Sequence, residues 1–222
     1  MKIGVIGDKT NHADVDSKLD SYQVVHLSID EIDDMSISVD YLFHFAIEEC
    51  PEDLDALVQL SNTFVFVNSV KTSLSELAYL HDGLTSKIFG FNGLPGFFNR
   101  SILEVTSIDN SDSLAGAMDV LGVDYLEVAD RVGMVTPRVI AMIINEAFYT
   151  LQEGTATKED IDLGMKLGTN YPYGPFEWME KIGVQNVYEL LESLFEDTKD
   201  QRYKISPLLK RDYLLFSTLG HP

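Results

Sequence analysis

The 222-residue sequence has a single cysteine, Cys50, so it forms no internal disulfide, and it holds no Cys/His cluster of the zinc-binding kind. No apolar run approaches the roughly 20 residues that span a bilayer, so no membrane segment is expected. The opening residues, Met1, Lys2 and a short strand ending at Asp8, lack the long apolar core of a secretory signal, and cytoplasm is the expected compartment. Positive charge is scarce: 16 Lys and Arg stand against 36 Asp and Glu, a net charge of −20. This argues against nucleic acid as a partner, because such binding rests on neutralising phosphates with Lys and Arg. Residues 1–70 carry 14 acidic and 3 basic side chains, a surface that repels phosphate-bearing ligands at long range and also keeps a protein soluble. There is no internal repeat and no low-complexity tract.

Glycine is missing where the opening calls for it. "KIGVIGDKTNH" (2–12) reads as a buried parallel strand arriving at a glycine turn, the start of a dinucleotide-binding unit with the spacing G-x-G-x-x-G. Gly7 is present, but Lys9 and His12 stand where the second and third glycines belong. The second lets the backbone approach a pyrophosphate and the third lets the helix pack on the strand. Lys9 crowds that approach while offering a charge that can hold a phosphate, His12 pushes the helix away, and Asp8 adds negative charge at the mouth.

What is present is an alternation of strands and helices. Strands are expected at 2–8, 22–29, 39–47, 62–70, 87–93 and 124–130, with "SILEVTSI" (101–108) before the last, and helices at 12–21, 50–61, 73–83 and 111–122. Continuous apolar strands alternating with helices predict a doubly wound parallel sheet. After about residue 130 the pattern is helical only. "TPRVIAMIINEAFYTLQEG" (136–154) carries a wide apolar face, with Pro137 in its first turn and Gly154 as its stop. "TKED" (157–160) is a capping box that opens the next helix. "GPFEWMEKIG", "VQNVYELLESLFEDT" and "SPLLKRDYLLFS" complete the helices. The expectation is an α/β fold with a shortened Rossmann-like domain over 1–128 and an all-α domain over 129–222.

The helical half resembles the C-terminal domain of the 3-hydroxyacyl-CoA dehydrogenase family. The matching motifs are E-D-I-D at Glu159–Asp162, M-K-x-G at Met165–Gly168, P-x-G-P-F-E at Pro172–Glu177 and "SPLLK" at Ser206–Lys210. The resemblance implies a helical domain like that of 6-phosphogluconate dehydrogenase, pairing into a homodimer. It also implies NAD as cofactor and an acyl-CoA-type small molecule as partner. The family reaction moves hydride between the C3 hydroxyl of an acyl-CoA and NAD, with a histidine taking the hydroxyl proton and a glutamate orienting it.

Carried to the first half, the resemblance assigns Gly4, Gly7, Lys9, Glu48 and Asn68 to the cofactor and Glu104 to the glutamate position. Asn92 falls where the histidine belongs, and an amide takes no proton at useful pH. Without that histidine, Glu104 is read as a surface or capping carboxylate rather than as a catalytic one. Pro137 replaces a substrate-binding asparagine, Val70 or Lys71 replaces a serine, and Ser28, with Asp30 beyond it, stands where an acid grips the ribose. No residues are assigned to a metal. By ancestry the chain is read as a family member, and by chemistry it is expected to have weak or no dehydrogenase activity. Two alternatives remain open: a non-catalytic binding or assembly module on the same scaffold, and a different reaction using Lys71 or Asn92 with Glu104.

Overall fold

In the computed structural model, which describes residues 1–33, 38–81 and 83–219, the apolar strands of the first half line up in one sheet. They are β1 (Lys2–Ile6), β2 (Gln23–His26), β3 (Tyr41–His44), β4 (Phe64–Asn68), β5 (Ile88–Phe91), β6 (Leu103–Thr106) and β7 (Tyr125–Glu127). Among the described residues the order is β2-β1-β3-β4-β5-β6-β7. From β2 to β5 every pair is parallel, with Ile3 opposite both Val24 and Tyr41. The order turns around between β1 and β3, the switch point at which open α/β sheets receive ligands.

One pair departs from the expected parallel sheet. β6 runs antiparallel to β5, with Phe91 opposite Val105. A parallel return needs a crossover, usually a helix, and residues 92–102 contain none. β7 is parallel to β6 again, because α5 (Ser111–Leu121) connects them.

Strand alternation separates two cores. Tyr41, Phe43, Phe66, Phe89 and Phe91 point to one face, where α1 (Lys9–Lys18) supplies Val15 and α5 supplies Leu114 and Met118. The Phe43 ring meets Phe66 at 5.1 Å and, edge-on, Phe91 at 5.5 Å. Leu42, Val65, Val67 and Ile88 point to the other face, covered by α2 (Ile29–Asp33), α3 (Leu54–Leu57) and α4 (Leu74–Leu80).

Local capping moves several expected boundaries. The first helix starts at Lys9 rather than residue 12, because Asp8 caps it. The second strand stops at His26 and residues 29–33 turn into α2, where Ser28 N–H and Oγ both donate to Glu31 Oε2 at 2.9 and 3.1 Å. The chain divides into compact units at 1–134 and 135–222. The division falls later than residue 128 because the segment after β7 stays with the sheet, Gly133 N–H donating to the Val70 carbonyl at 2.6 Å.

The second unit contains α6 (Thr136–Gln152), α7 (Lys158–Thr169), α8 (Pro175–Ile182), α9 (Val184–Thr198) and α10 (Pro207–Leu219). Three of the four sequence motifs meet at one joint. Asp162 on α7 accepts the N–H groups of Phe176 (2.8 Å) and Glu177 (3.3 Å), capping α8 from a neighbouring helix. Glu177 Oε2 accepts the Gly174 N–H at 2.9 Å while its other oxygen pairs with Lys166. A β-carbon on Gly174 would lie 2.3 Å from Asp162, so the joint closes only over glycine. Buried Asn145 fastens the last helix, accepting from Ser206 N–H at 2.8 Å and donating to the Lys204 carbonyl at 2.9 Å.

Gly174→Ala is therefore expected to destabilise the helical unit by about 1–3 kcal/mol, the usual range for overpacking. Urea denaturation of wild type and variant measures this, and an unchanged midpoint would contradict the joint as described.

Candidate functional site

The carboxyl ends of β1 to β5, with the helix starts that follow them, bring together most of the sequence-predicted site residues. At the β1–α1 turn, Asp8 Oδ1 accepts the N–H groups of Thr10 (2.8 Å) and Asn11 (2.9 Å). Asn11 Oδ1 accepts the Asp8 N–H in return at 3.0 Å. These are the free backbone donors that a pyrophosphate uses in a dinucleotide fold. Gly7 has a steric reason to be glycine, since a β-carbon there would come 2.7 Å from Asn11 Oδ1. Gly4 lies inside β1, where a β-carbon would meet Leu27 and Leu42 at 2.9 Å, so the structure places it in the core rather than at the turn. Lys9 is exposed at the first position of α1.

His12 does not push α1 off the sheet. Its ring stacks on His26 at the end of β2, centroids 3.9 Å apart and 9° from parallel, and His26 Nε2 lies 3.1 Å from Asp16 Oδ1. Burial, then the neighbouring His26, holds the His12 imidazole below its ordinary value, so the stack is favoured in its neutral form. At the expected ribose-binding position, Ser28 is bonded to Glu31, a residue the sequence reading passed over.

Further along the edge, Glu48 and Asn68 come into direct contact. Asn68 Nδ2 donates to Glu48 Oε2 at 3.1 Å, and the Lys71 N–H donates to Glu48 Oε1 at 2.5 Å. Asn68 Oδ1 accepts the Gly93 N–H at 2.9 Å, joining the loop after β5 to the same cluster. Lys71 Nζ stands 4.0 Å from Glu48 and 3.0 Å from Glu49. Burial pushes the Glu48 carboxyl up to about 7 against the lowering effect of Lys71.

Asn92 and Glu104 are also neighbours, the Asn92 N–H donating to the Glu104 carbonyl at 3.0 Å. Asn92 is 2% exposed, and its side-chain oxygen accepts the Leu94 N–H at 3.4 Å, holding the turn that leaves β5. Glu104 is 7% exposed within β6, which corrects its reading as a surface carboxylate. Pro137 is buried in the first turn of α6, without a donor at that position. Asp130 had no sequence signal. Its carboxylate accepts from Leu74 N–H (2.7 Å), Ser75 N–H (2.9 Å) and Ser75 Oγ (2.6 Å), capping α4 across more than fifty residues of sequence. Among the described residues no group of three or more His, Cys, Asp or Glu is arranged to hold a metal ion, and no helix is long and apolar enough to cross a membrane.

Residues 133–215 match the family model described as 3-hydroxyacyl-CoA dehydrogenase, C-terminal domain. Over 96 residues the chain is 46% identical to the 3-hydroxyadipyl-CoA dehydrogenase of Escherichia coli K12, covering 43% of this chain and 20% of that protein. Over 185 residues it is 29% identical to the 3-hydroxybutyryl-CoA dehydrogenase of Clostridioides difficile, covering 81% of this chain and 62% of that one. The chain thus spans less than two thirds of the length of these curated relatives. In fold it is similar to the (S)-3-hydroxybutyryl-CoA dehydrogenase of Ralstonia eutropha, with a TM-score of 0.71 at 21% identity over 95% of this chain and 92% of that one.

Asp8→Ala removes the acceptor for two N–H groups and is expected to cost about 1 kcal/mol, whereas Asp8→Asn, itself a good cap, costs much less. Thermal denaturation of the two variants compares them directly, and equal losses would show that capping is not what Asp8 does.

Proposed function

The chain belongs to the 3-hydroxyacyl-CoA dehydrogenase family, and we propose that it has weak or no dehydrogenase activity and serves as a binding or assembly module on that scaffold. The observation that carries this reading is the Asp8 carboxylate seated on the α1 backbone donors. An NAD pyrophosphate would have to displace an anion already in place and covalently attached. Lys9 in place of the second glycine adds a side chain on the same approach. The wider field opposes the cofactor as well: unit 1 carries 23 acidic and 7 basic residues, unit 2 13 and 9.

The chemistry fails independently of binding. Asn92 stands at the general-base position, and its amide neither takes a proton nor is free of the turn it holds. Glu104 then has no imidazole to orient. An acyl-CoA-type molecule is the small ligand that family membership suggests, and the cytoplasm is the compartment.

The helical unit supports self-association. α7 has no buried residue, Leu163 and Leu167 are 53% and 78% exposed, and nothing lies within 4 Å of a β-carbon added at Gly164 or Gly168. A second copy of the chain covering this face would bury leucine side chains that water otherwise contacts.

Calorimetric titration with NADH is expected to show no binding at millimolar ligand, and acetoacetyl-CoA is expected to drive no NADH oxidation. Micromolar binding, or turnover at rates normal for an enzyme, would overturn the reading. Light scattering at tens of micromolar is expected to report a homodimer that Leu167→Glu converts to a monomer. A wild-type monomer would remove the assembly role.

A further inference from the structure

The amino edge of the sheet, opposite the edge that carries Asp8 and Glu48, holds a cleft of its own. β6 runs antiparallel to β5, with Gly90 opposite Thr106, so β6 ends beside the start of β5 and the chain turns there into α5. The end of α4 supplies the remaining side. The cleft has a volume of about 420 Å³, with Ala78, Leu84, Ile88 and Ile108 as its apolar wall and Asp109 and Asn110 at its polar end. We propose that it is a binding site for a small amphipathic amine, a protonated primary amine on a short alkyl chain, with the ammonium on Asp109 and the chain along Ile88 and Ile108. The inference goes beyond the proposed function and does not depend on whether NADH binds at the opposite edge.

The wall runs from the core out to solvent. Ile88 opens β5 and is 4% exposed, Leu84 packs against the same core, and Ile108 is 38% exposed. An alkyl chain laid along it would cover apolar surface that water otherwise contacts. The volume lies within the range of small-molecule sites, roughly 300–1,000 Å³.

The polar end selects the sign of the ligand. The Ser86 carbonyl accepts from Asn110 Nδ2 and from Ser113 Oγ, the latter at 3.3 Å. That uses the amide donor of Asn110 and leaves its Oδ1 as an acceptor, since the Asn110 side chain makes no capping bond to α5. The Asp109 carboxylate has no hydrogen-bond or ion-pair partner among the described residues. The groups left over are therefore acceptors, and they call for a ligand that donates N–H bonds and carries positive charge. No lining residue is Lys, Arg or His, so an anion would find no counter-charge there. Lys87, next to Ile88 in sequence, is engaged elsewhere, donating to the Ser61 carbonyl at 2.9 Å and lying over the Phe64 ring. The partial positive charge at the start of α5 is outweighed by the whole negative charges of Asp109 and Asp112 beside it. The acidic excess of unit 1, which opposes a pyrophosphate, draws a cation in.

Hexylammonium chloride titrated into the full chain, followed by backbone amide NMR shifts, tests the site. Saturable shifts are expected at residues 84–88 and 108–110, and hexanoate is expected to give none there. Asp109 has a left-handed backbone, with φ at 48°, which Asn also tolerates, so Asp109→Asn keeps the fold. It is expected to weaken hexylammonium binding about threefold or more, the scale of an exposed ion pair. Ile108→Ser, at an exposed position, is expected to weaken binding through the alkyl chain instead. Hexanoate binding as well as hexylammonium, undiminished binding to Asp109→Asn, or unsaturable shifts spread over the acidic surface would each overturn the site.

Discussion

Backbone N–H groups at helix starts and strand ends must find acceptors, and in this protein the chain's own carboxylates supply them along the carboxyl edge of the sheet. Asp8 serves α1, Glu31 serves Ser28 ahead of α2, Glu48 serves Lys71, and Asp130 serves α4. In a dinucleotide fold some of these donors are left for a phosphate. Here the Thr10 and Asn11 donors at the start of α1 are bonded to the chain's own Asp8 carboxylate. Part of the large acidic excess has this structural use, since a carboxylate near a helix N-terminus is stabilised by the helix dipole.

The helical unit depends on a different kind of joint. Asp162, Lys166, Gly174 and Glu177 interlock so that one helix caps another and a glycine leaves room for the contact. These are the residues by which the sequence resembles its family most closely. The strongest family signature is therefore a packing device rather than a set of reacting groups. The match at this joint is independent of Asn92 and Pro137, which stand where the resemblance implies a histidine and a substrate-binding asparagine.

Between these two devices, the aromatic face of the sheet gives the first unit its core. Phe43, Phe66 and Phe91 make ring contacts near 5 Å that need no cofactor to complete them. Phe98, from the loop after β5, closes the layer against Phe43 and Phe91. That loop carries the Asn92 turn, so the candidate general-base position is anchored by packing on one side and by Glu104 backbone pairing on the other.

The sequence by itself determined the strand and helix alternation, the helical second half and the family, because these depend on apolar periodicity and on motifs of local spacing. It also placed Glu48 and Asn68 among candidate site residues, and the structure brings them into contact at 3.1 Å. The Asp8–Asn11 capping box was legible in principle, as an Asp followed three residues later by an Asn, yet beside Gly7 it reads first as a damaged phosphate loop. The tertiary structure alone decided the antiparallel β5–β6 pair, the burial of Glu104, the His12–His26 stack and the Asp130 cap. Each joins residues that lie between about ten and more than fifty positions apart, or turns on which neighbour fills a space, and neither local spacing nor composition carries that information.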